Sequence, residues 1–395
     1  MKKISLAVLA VMAPAAAFAS SSVTLYGLVD GGYYYKNQKT TFSGDPGATQ
    51  GSIEQRTVGF RNGLRNGNRW GLKGVEDLGN GTSAIYTLES GFNLGDGQSL
   101  QGGRLFGRQA FVGLTGESWG TFTIGRQYNT SDVFLQPIDP FGHNGWQSST
   151  HSGFNTSHSY RYDNAVKYAS PNLSGFRFIV GGFFENTKVD TDINGAKDTG
   201  KDRFGGLMAG LGYRSGPINI GATFDYVDQK TENMAGKTDV STKTKQWNLG
   251  MTYDFDVAKL HLMYGHQRDG TFFGIGLAND ILNPQGVRTL ARQMNSDGFR
   301  QQSWLAGVTV PVSQSGQVIF SYQGNSIKNN EAAGLEDARI KSHIFSLGYV
   351  HNLSKRTNMN IIASHGTSKL KFNDALSQQR KVKSTDIQLG LQHRF

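Results

Sequence analysis

Alternation of apolar and polar residues with a period of two is the feature that most constrains this chain. The segment 245–256 carries Trp247, Leu249, Met251, Tyr253 and Phe255, with Gln246, Asn248, Gly250, Thr252 and Asp254 at the intervening positions. Successive side chains of a β-strand point to opposite faces, so this segment has one apolar face and one polar face. The same period recurs near 218–226, 317–323 and 387–395. The pattern predicts an all-β chain.

A soluble β-sandwich and a transmembrane β-barrel share this period, and two features favour the barrel. The polar face consists largely of Gly, Ser, Thr, Asn, Gln and charged residues, which suits a wet lumen. Aromatic residues cluster near predicted strand ends, as a membrane-interface girdle requires. The low hydrophobic content of 37% follows, since only every second residue of a strand must be apolar.

Short turns alternate with long loops between sixteen predicted strands. We place the strands at 22–35, 68–77, 82–94, 104–116, 120–128, 163–171, 176–186, 204–214, 217–228, 245–256, 258–268, 298–312, 316–326, 338–351, 357–369 and 386–395. The long loops fall near 36–67, 95–103, 129–162, 187–203, 229–244, 269–297, 327–337 and 370–385. Short periplasmic turns with long outer loops are typical of a closed antiparallel barrel in a bacterial outer membrane.

The N-terminus has the pattern of a signal peptide. Lys2 and Lys3 precede an apolar stretch at 4–18, and Ala17-Phe18-Ala19 fits a signal-peptidase site. We therefore expect a signal peptide at 1–19 and one barrel domain at 20–395. Beyond residue 19 no apolar run reaches the length of a spanning helix. The absence of cysteine excludes disulfides, a Cys-based metal site and a Cys nucleophile.

Several motifs, in order along the chain, resemble one known family. They are VTLYGLVD at 23–30, RWGLKG at 69–74 with EDLG at 76–79, RQAFVGL at 108–114, GRQY at 125–128, YASPN at 168–172, LGY at 347–349, LSKRT at 353–357 and the terminal Phe395. Together they resemble the trimeric general porins of Gram-negative bacteria, and most closely the beta-proteobacterial and neisserial branch. The motifs span nearly the whole predicted barrel domain.

The resemblance implies a homotrimer in the outer membrane, with a water-filled pore in each protomer for ions and small hydrophilic solutes. It implies that the third long loop, about 129–160, folds into the barrel, with Pro140-Phe141-Gly142 as its tip motif. It also implies a ladder of arginines on the facing wall, at Arg69, Arg108 and Arg161. Leu28 replaces a lysine that some relatives carry on the first strand. The terminal Phe395 implies recognition of the last strand by the barrel-assembly machinery.

Strand phase supports a lumenal position for these cations. We expect five basic side chains in the lumen, each out of phase with apolar neighbours of its own segment: Arg69, Lys73, Arg108, Arg161 and Lys167. A cation that faces lipid at mid-depth costs about 2–4 kcal/mol, which favours the inward orientation. Arg126 shares the parity of Phe122 and Ile124, so we expect it outside the pore, at a subunit interface or the rim.

The inward loop has few charges. Between residues 129 and 160 the only carboxylates are Asp132 and Asp139, and there is no Lys or Arg. A ring of arginines facing so few carboxylates gives a positive field, and charged rings set ion selectivity. We therefore expect a passive pore with moderate anion preference. His143, His151 and His158 lie in the same loop, but their spacing matches no metal-ligand pair, and polar lining is the simpler interpretation.

Other classes of protein fit less well. A substrate-specific channel could use Tyr33, Tyr34 and Tyr35 as an aromatic slide, and a soluble adhesin-like β-protein is a more distant alternative. An enzyme is least favoured, because no acid–base pair, triad or phosphate loop stands out. The pattern predicts no cofactor, no metal and no nucleic-acid partner. Basic outer loops could contact outer-membrane lipid and lipopolysaccharide.

Overall fold

A computed structural model describes residues 21–46, 50–142, 146–154, 161–194, 196–233, 239–269, 298–329, 338–371 and 377–395. The predicted signal peptide and most of the predicted loops 269–297 and 327–337 lie outside these ranges. The described ranges consist almost entirely of antiparallel sheet.

Seventeen strands occur in the described ranges. They are β1 (Ser22–Ser43), β2 (Gly51–Asn62), β3 (Arg69–Gly79), β4 (Thr82–Gly91), β5 (Gln109–Gly116), β6 (Gly120–Tyr128), β7 (Arg161–Ala169), β8 (Phe176–Ile193), β9 (Ala196–Ser215), β10 (Ile218–Glu232), β11 (Val240–Asp254), β12 (Lys259–Arg268), β13 (Phe299–Pro311), β14 (Gly316–Asn329), β15 (Ala338–Asn352), β16 (Thr357–Lys371) and β17 (Gln379–Arg394).

The sheet closes on itself as a barrel of sixteen strand positions. Each strand from β3 to β16 pairs with the next strand in the chain, and β17 returns to pair with β1 from Leu28↔Arg394 to Ser43↔Gln379. The lower part of β1 pairs with β3 and its upper part pairs with β2, so β2 and β3 share one position. The predicted sixteen-stranded antiparallel barrel is confirmed. Closure leaves no sheet edge unpaired in lipid, where each unmet backbone group would cost several kcal/mol.

The alternation read from the sequence corresponds to the two faces of the wall. In β11, Trp247 and Leu249 are exposed on the outer face, whereas Gln246 and Asn248 are buried on the inner face. Apolar side chains therefore face the membrane, and polar side chains face the interior, which is the reverse of a soluble sandwich.

Several predicted loops contain strand residues, and two of them contain long stretches. β1 continues to Ser43 and pairs with β2, inside the predicted loop 36–67. β8 and β9 pair as far as Ile193↔Ala196, inside the predicted loop 187–203. These hairpin ends are rich in Lys, Asp, Thr and Asn, because a strand that extends beyond the membrane is wet on both faces and loses the apolar parity.

The third long loop folds into the barrel, as predicted. After β6 the chain forms a short helix α1 (Thr130–Phe134) and 3₁₀ turns at Gln136–Ile138, Trp146–Ser148 and Thr150–Ser152. We call residues 129–142 and 146–154 the inward loop. The side chain of Asn129 caps α1 by accepting a hydrogen bond from the backbone N–H of Asp132 at 3.2 Å.

Glycines on the inner wall make room for this loop. The ring of Phe134 lies so close to Gly210 and Gly212 that an added Cβ would sit 2.6 and 2.5 Å from it. Further along, Leu135 and Ile138 pack with residues of β12 and β13. Phe141 then packs against Ile319, Val350 and Ile362. The inward loop therefore packs along the inner wall from β9 to β16.

Candidate functional site: a basic constriction

Tyr128, at the end of β6, is the centre of a group of cations on the inner wall. Its hydroxyl accepts hydrogen bonds from Nη2 of Arg108 and Nη2 of Arg161. The guanidinium of Arg161 also lies over the ring of Tyr128, 4.2 Å from its centre. One phenol thus holds two guanidinium groups together in spite of their mutual repulsion.

Arg69 and Lys167 border the same group. Nζ of Lys167 donates a hydrogen bond to the backbone oxygen of Tyr128 at 3.1 Å, and Nε of Arg69 donates to the backbone oxygen of Gly67 at 3.0 Å. The structure therefore places the predicted ladder residues Arg69, Arg108 and Arg161 side by side, with Lys167 next to them.

Asp132 of α1 is the carboxylate of the inward loop that faces these cations. It interacts electrostatically with each of them: Arg69, Arg108, Arg161 and Lys167. The ring of Phe134 packs against the glycines of β9, and this contact fixes the position of α1 and of Asp132. The group of cations thus faces one carboxylate of the inward loop.

Glu89 of β4 belongs to the site, although the sequence analysis did not select it. Its Oε1 pairs with Nε of Arg108 at 2.7 Å, and both side chains are only 4% exposed. Its Oε2 accepts a hydrogen bond from the hydroxyl of Tyr26 at 3.0 Å. Strand phase could have found it, because Glu89 alternates with Leu88 on a strand whose other face meets lipid.

The inward orientation of Arg108 does not follow from the strand phase of β5. β5 begins at Gln109, and Val112 and Leu114, which share the parity of Arg108, are exposed on the outer face. Arg108 points inward because it lies in the loop before the strand, where parity no longer applies. Between Arg161 and Lys167 the alternation is also broken, since Asn164 has a φ of 53°.

Asp139 has a different environment from Asp132. Its Oδ1 accepts the backbone N–H of Phe141 at 3.0 Å, and its Oδ2 accepts from Thr150 N and Oγ1 at 2.9 and 2.8 Å. These bonds join the two halves of the inward loop, so the Asp139 carboxylate fastens the loop.

Lys73 and Arg126 lie away from the central group. Lys73 is exposed, with Nζ 5.6 Å from the ring centre of Tyr26. Arg126 shares its face with the outward-facing Ile124. Its Nε donates to the backbone oxygen of Gly107 at 2.8 Å and its Nη1 pairs with Asp163. Its outward position matches its phase.

The three consecutive tyrosines of β1 do not form a lumenal stack. Tyr33 and Tyr35 are exposed on the outer face, and Tyr34 points inward beneath Arg61. At the other end of the chain, Phe395 exchanges backbone hydrogen bonds with Gly27 at 3.0 and 3.1 Å and covers it with its ring. Phe395 thus completes the closure of the barrel.

Within the described ranges, no group of three His, Asp or Glu side chains could hold a metal ion. His143 and His158, and the side chain of His151, lie outside what the structure describes. No helix in the described part of the chain is long and apolar enough to cross a membrane.

Comparison with known proteins agrees with this architecture. The family model described as Gram-negative porin matches residues 5–369. An outer membrane porin protein of Bordetella pertussis is 37% identical over 384 residues, which cover 96% of both chains. Two solved structures share the fold. The anion-selective porin from Comamonas acidovorans has 24% identity and a TM-score of 0.61, over 95% of this chain and 100% of that one. OmpT of Vibrio cholerae in its trimer form has 14% identity and a TM-score of 0.58, over 95% and 99%.

The closed barrel, its inward loop and the match of a family model to most of the chain lead to one assignment. The chain belongs to the Gram-negative porin family and is an outer-membrane β-barrel.

Proposed function

We propose that the protein is a passive, water-filled channel for ions and small hydrophilic solutes, with a moderate preference for anions. The observation that carries the preference is the charge balance at the constriction. Four cations (Arg69, Arg108, Arg161 and Lys167) face two carboxylates (Glu89 and Asp132). The excess of positive charge in a narrow, low-dielectric opening attracts anions and repels cations. Arginine suits this role because it stays charged at any physiological pH.

The name of a structural relative supports the same sign of selectivity. The Comamonas protein that shares this fold is called an anion-selective porin. We infer that this chain acts as a channel and has no enzymatic activity. A general pore is favoured over a substrate-specific channel, because Tyr33 and Tyr35 lie on the outer face, away from the permeation path.

We also propose that the protein is a homotrimer. The ion pair of Arg126 and Asp163 supports this, since it lies on the outer face, where lipid contact is costly for charged groups. A neighbouring protomer would cover it. Outer-membrane lipid and lipopolysaccharide would contact the remaining outer face, and the barrel-assembly machinery would bind the strand that ends at Phe395.

Reversal potentials in a salt gradient test the channel function. The purified protein, inserted in a planar bilayer, should conduct without a ligand and give a reversal potential of the anionic sign. Replacing Arg69 and Arg108 together with glutamine should reduce the anion preference and raise the conductance, because two large cations leave the opening. A wild-type channel that prefers cations would refute the proposed selectivity.

A further inference from the structure

We propose that the opening has a second inward element, opposite the inward loop, and that Arg65 is a selectivity-determining residue on it. The element is residues 63–68, between β2 and β3, which we call the inward turn. The proposal rests on the proposed anion-preferring channel and adds a residue to it. Neither strand phase nor the family resemblance selected Arg65.

Asp30 of β1 holds the inward turn in place. Its carboxylate is fully buried and accepts the backbone N–H groups of Leu64, Arg65 and Asn66 at 2.9, 3.1 and 2.9 Å. Nε2 of Gln392 donates a further bond at 2.7 Å. Bonds from several donors to one ionised acceptor are the strong kind, so they define the shape of the turn.

Leu64 anchors the turn to the wall. Its side chain is fully buried, and it lies over two glycines, Gly32 of β1 and Gly390 of β17. A Cβ at either glycine would lie 2.8 or 2.3 Å from Cδ1 of Leu64. The wall is thus shaped to receive this side chain, and the turn stands inward from the wall.

The inward loop touches the inward turn from the opposite side. Nε1 of Trp146 donates a hydrogen bond to the backbone oxygen of Gly63 at 3.2 Å. A Cβ added to Gly142 would lie 3.5 Å from the backbone oxygen of Arg65. The two elements therefore meet, and together they enclose the opening.

Arg61, next to the turn, fastens this contact and contributes little free charge. Its guanidinium carbon lies 3.6 Å from the ring centre of Tyr34 and 4.6 Å from that of Trp146. Its Nη1 pairs with Asp386 at 2.6 Å, and both side chains are buried. The ion pair neutralises Arg61, so any unbalanced charge on this side of the opening must come from another residue.

Arg65 is that residue. It lines a cavity of about 590 Å³ together with Arg69, Gln136 and Arg394. Its charged neighbours are Asp30, Arg394 and Asp139. Asp30 is occupied by backbone N–H groups, and Asp139 by Thr150 and Phe141. Within the described ranges Nε of Arg65 has no hydrogen-bond partner. Neither carboxylate is hydrogen-bonded to the guanidinium of Arg65, which can therefore bind an anion that enters the cavity.

Because the chain has no cysteine, an introduced thiol is the single site at which a thiol reagent can add a positive or a negative charge to the assembled channel. Arg65→Cys should lower the anion-to-cation permeability ratio about four-fold, as expected for one unit charge about 5 Å from the ion path in physiological salt. A cationic methanethiosulfonate added to the same channels should restore the ratio, and an anionic one should lower it further. Arg65→Lys should stay close to the wild-type ratio.

The matched control is Arg56→Cys. Arg56 lies on β2, the strand before the inward turn, and its exposed side chain pairs with Glu54. Its modification should leave the ratio unchanged. If Arg65→Cys does not assemble, Arg65→Gln, which keeps a long polar side chain, gives the same comparison. An unchanged ratio in Arg65→Cys or Arg65→Gln, or a modified thiol without effect on the ratio, would overturn the proposal.

The two proposals fail in different ways. If the wild type shows no anion preference but Arg65→Cys still shifts the ratio and the cationic reagent reverses the shift, the proposed selectivity fails and the role of Arg65 stands. If the wild type prefers anions and Arg65 can be neutralised without effect, only the role of Arg65 fails.

Discussion

Neutralising Glu89 should raise the anion preference of the channel. Glu89 pairs with Arg108 at 2.7 Å and also accepts the hydroxyl of Tyr26, so it places a negative charge inside the basic group. Glu89→Gln keeps the size of the side chain; its amide oxygen can accept the bond from Arg108, and its amide N–H can donate to the hydroxyl oxygen of Tyr26. The variant therefore removes one charge with little change of shape, and the positive excess at the constriction grows by one.

The size of the effect follows from the position of the charge. A unit charge about 5 Å from a permeating ion changes the energy of that ion by about 0.8 kcal/mol in water. A Debye length of about 8 Å at physiological salt reduces this to about 0.4 kcal/mol. Removal of the charge stabilises an anion by about 0.4 kcal/mol and destabilises a cation by about the same amount. The free-energy difference between the two ions therefore changes by about 0.8 kcal/mol, and the anion-to-cation permeability ratio should rise about four-fold.

Reversal potentials of Glu89→Gln and wild-type channels in the same salt gradient measure this ratio. Glu117→Gln is the matched control, because Glu117 is an exposed carboxylate in the β5–β6 turn, away from the constriction. The ratio should rise for Glu89→Gln and stay constant for Glu117→Gln. A ratio that stays constant or falls in properly assembled Glu89→Gln would refute the charge balance that we derive for the constriction.

Three further predictions concern the parts that hold the site. Phe141→Ala removes a fully buried ring that fastens the inward loop and should cost about 3–5 kcal/mol locally; single-channel records should show more open-state noise, and records identical to wild type would contradict this. Gly212→Val would place a Cβ 2.5 Å from the ring of Phe134 and displace α1, so the ion selectivity should change; a wild-type reversal potential would argue against the role of this packing contact in positioning α1. Arg126→Ala should lower the temperature at which the trimer dissociates on a native gel, since Asp163 keeps only Arg104 of its two arginine partners; an unchanged temperature would place the pair outside the subunit interface.

The membrane-spanning part of the fold could be predicted because lipid imposes one rule on every strand. β11 was recognised from Trp247 to Phe255, where lipid on one side and water on the other force alternation. The extensions of β1 to Ser43 and of β8 to Ile193 were missed, because above the membrane both faces are wet and the pattern disappears.

The orientation of the candidate site residues was predictable where a strand carries them and less so elsewhere. Arg69 lies on β3, and its phase indicates its direction. Arg108 lies before β5, where phase does not apply, and the family resemblance was the better guide. Arg65 lies in a turn whose shape depends on a carboxylate 35 positions away in the chain. Local periodicity contains no information about such a distant contact.

The central claim is that an excess of positive charge at one narrow opening governs permeation. The most direct measurement is the reversal potential of the purified wild-type channel in a planar bilayer with a salt gradient. We predict a ligand-independent conductance and a reversal potential that corresponds to greater permeability for chloride than for potassium. A channel that favours potassium, or one without preference for either ion, would contradict the account.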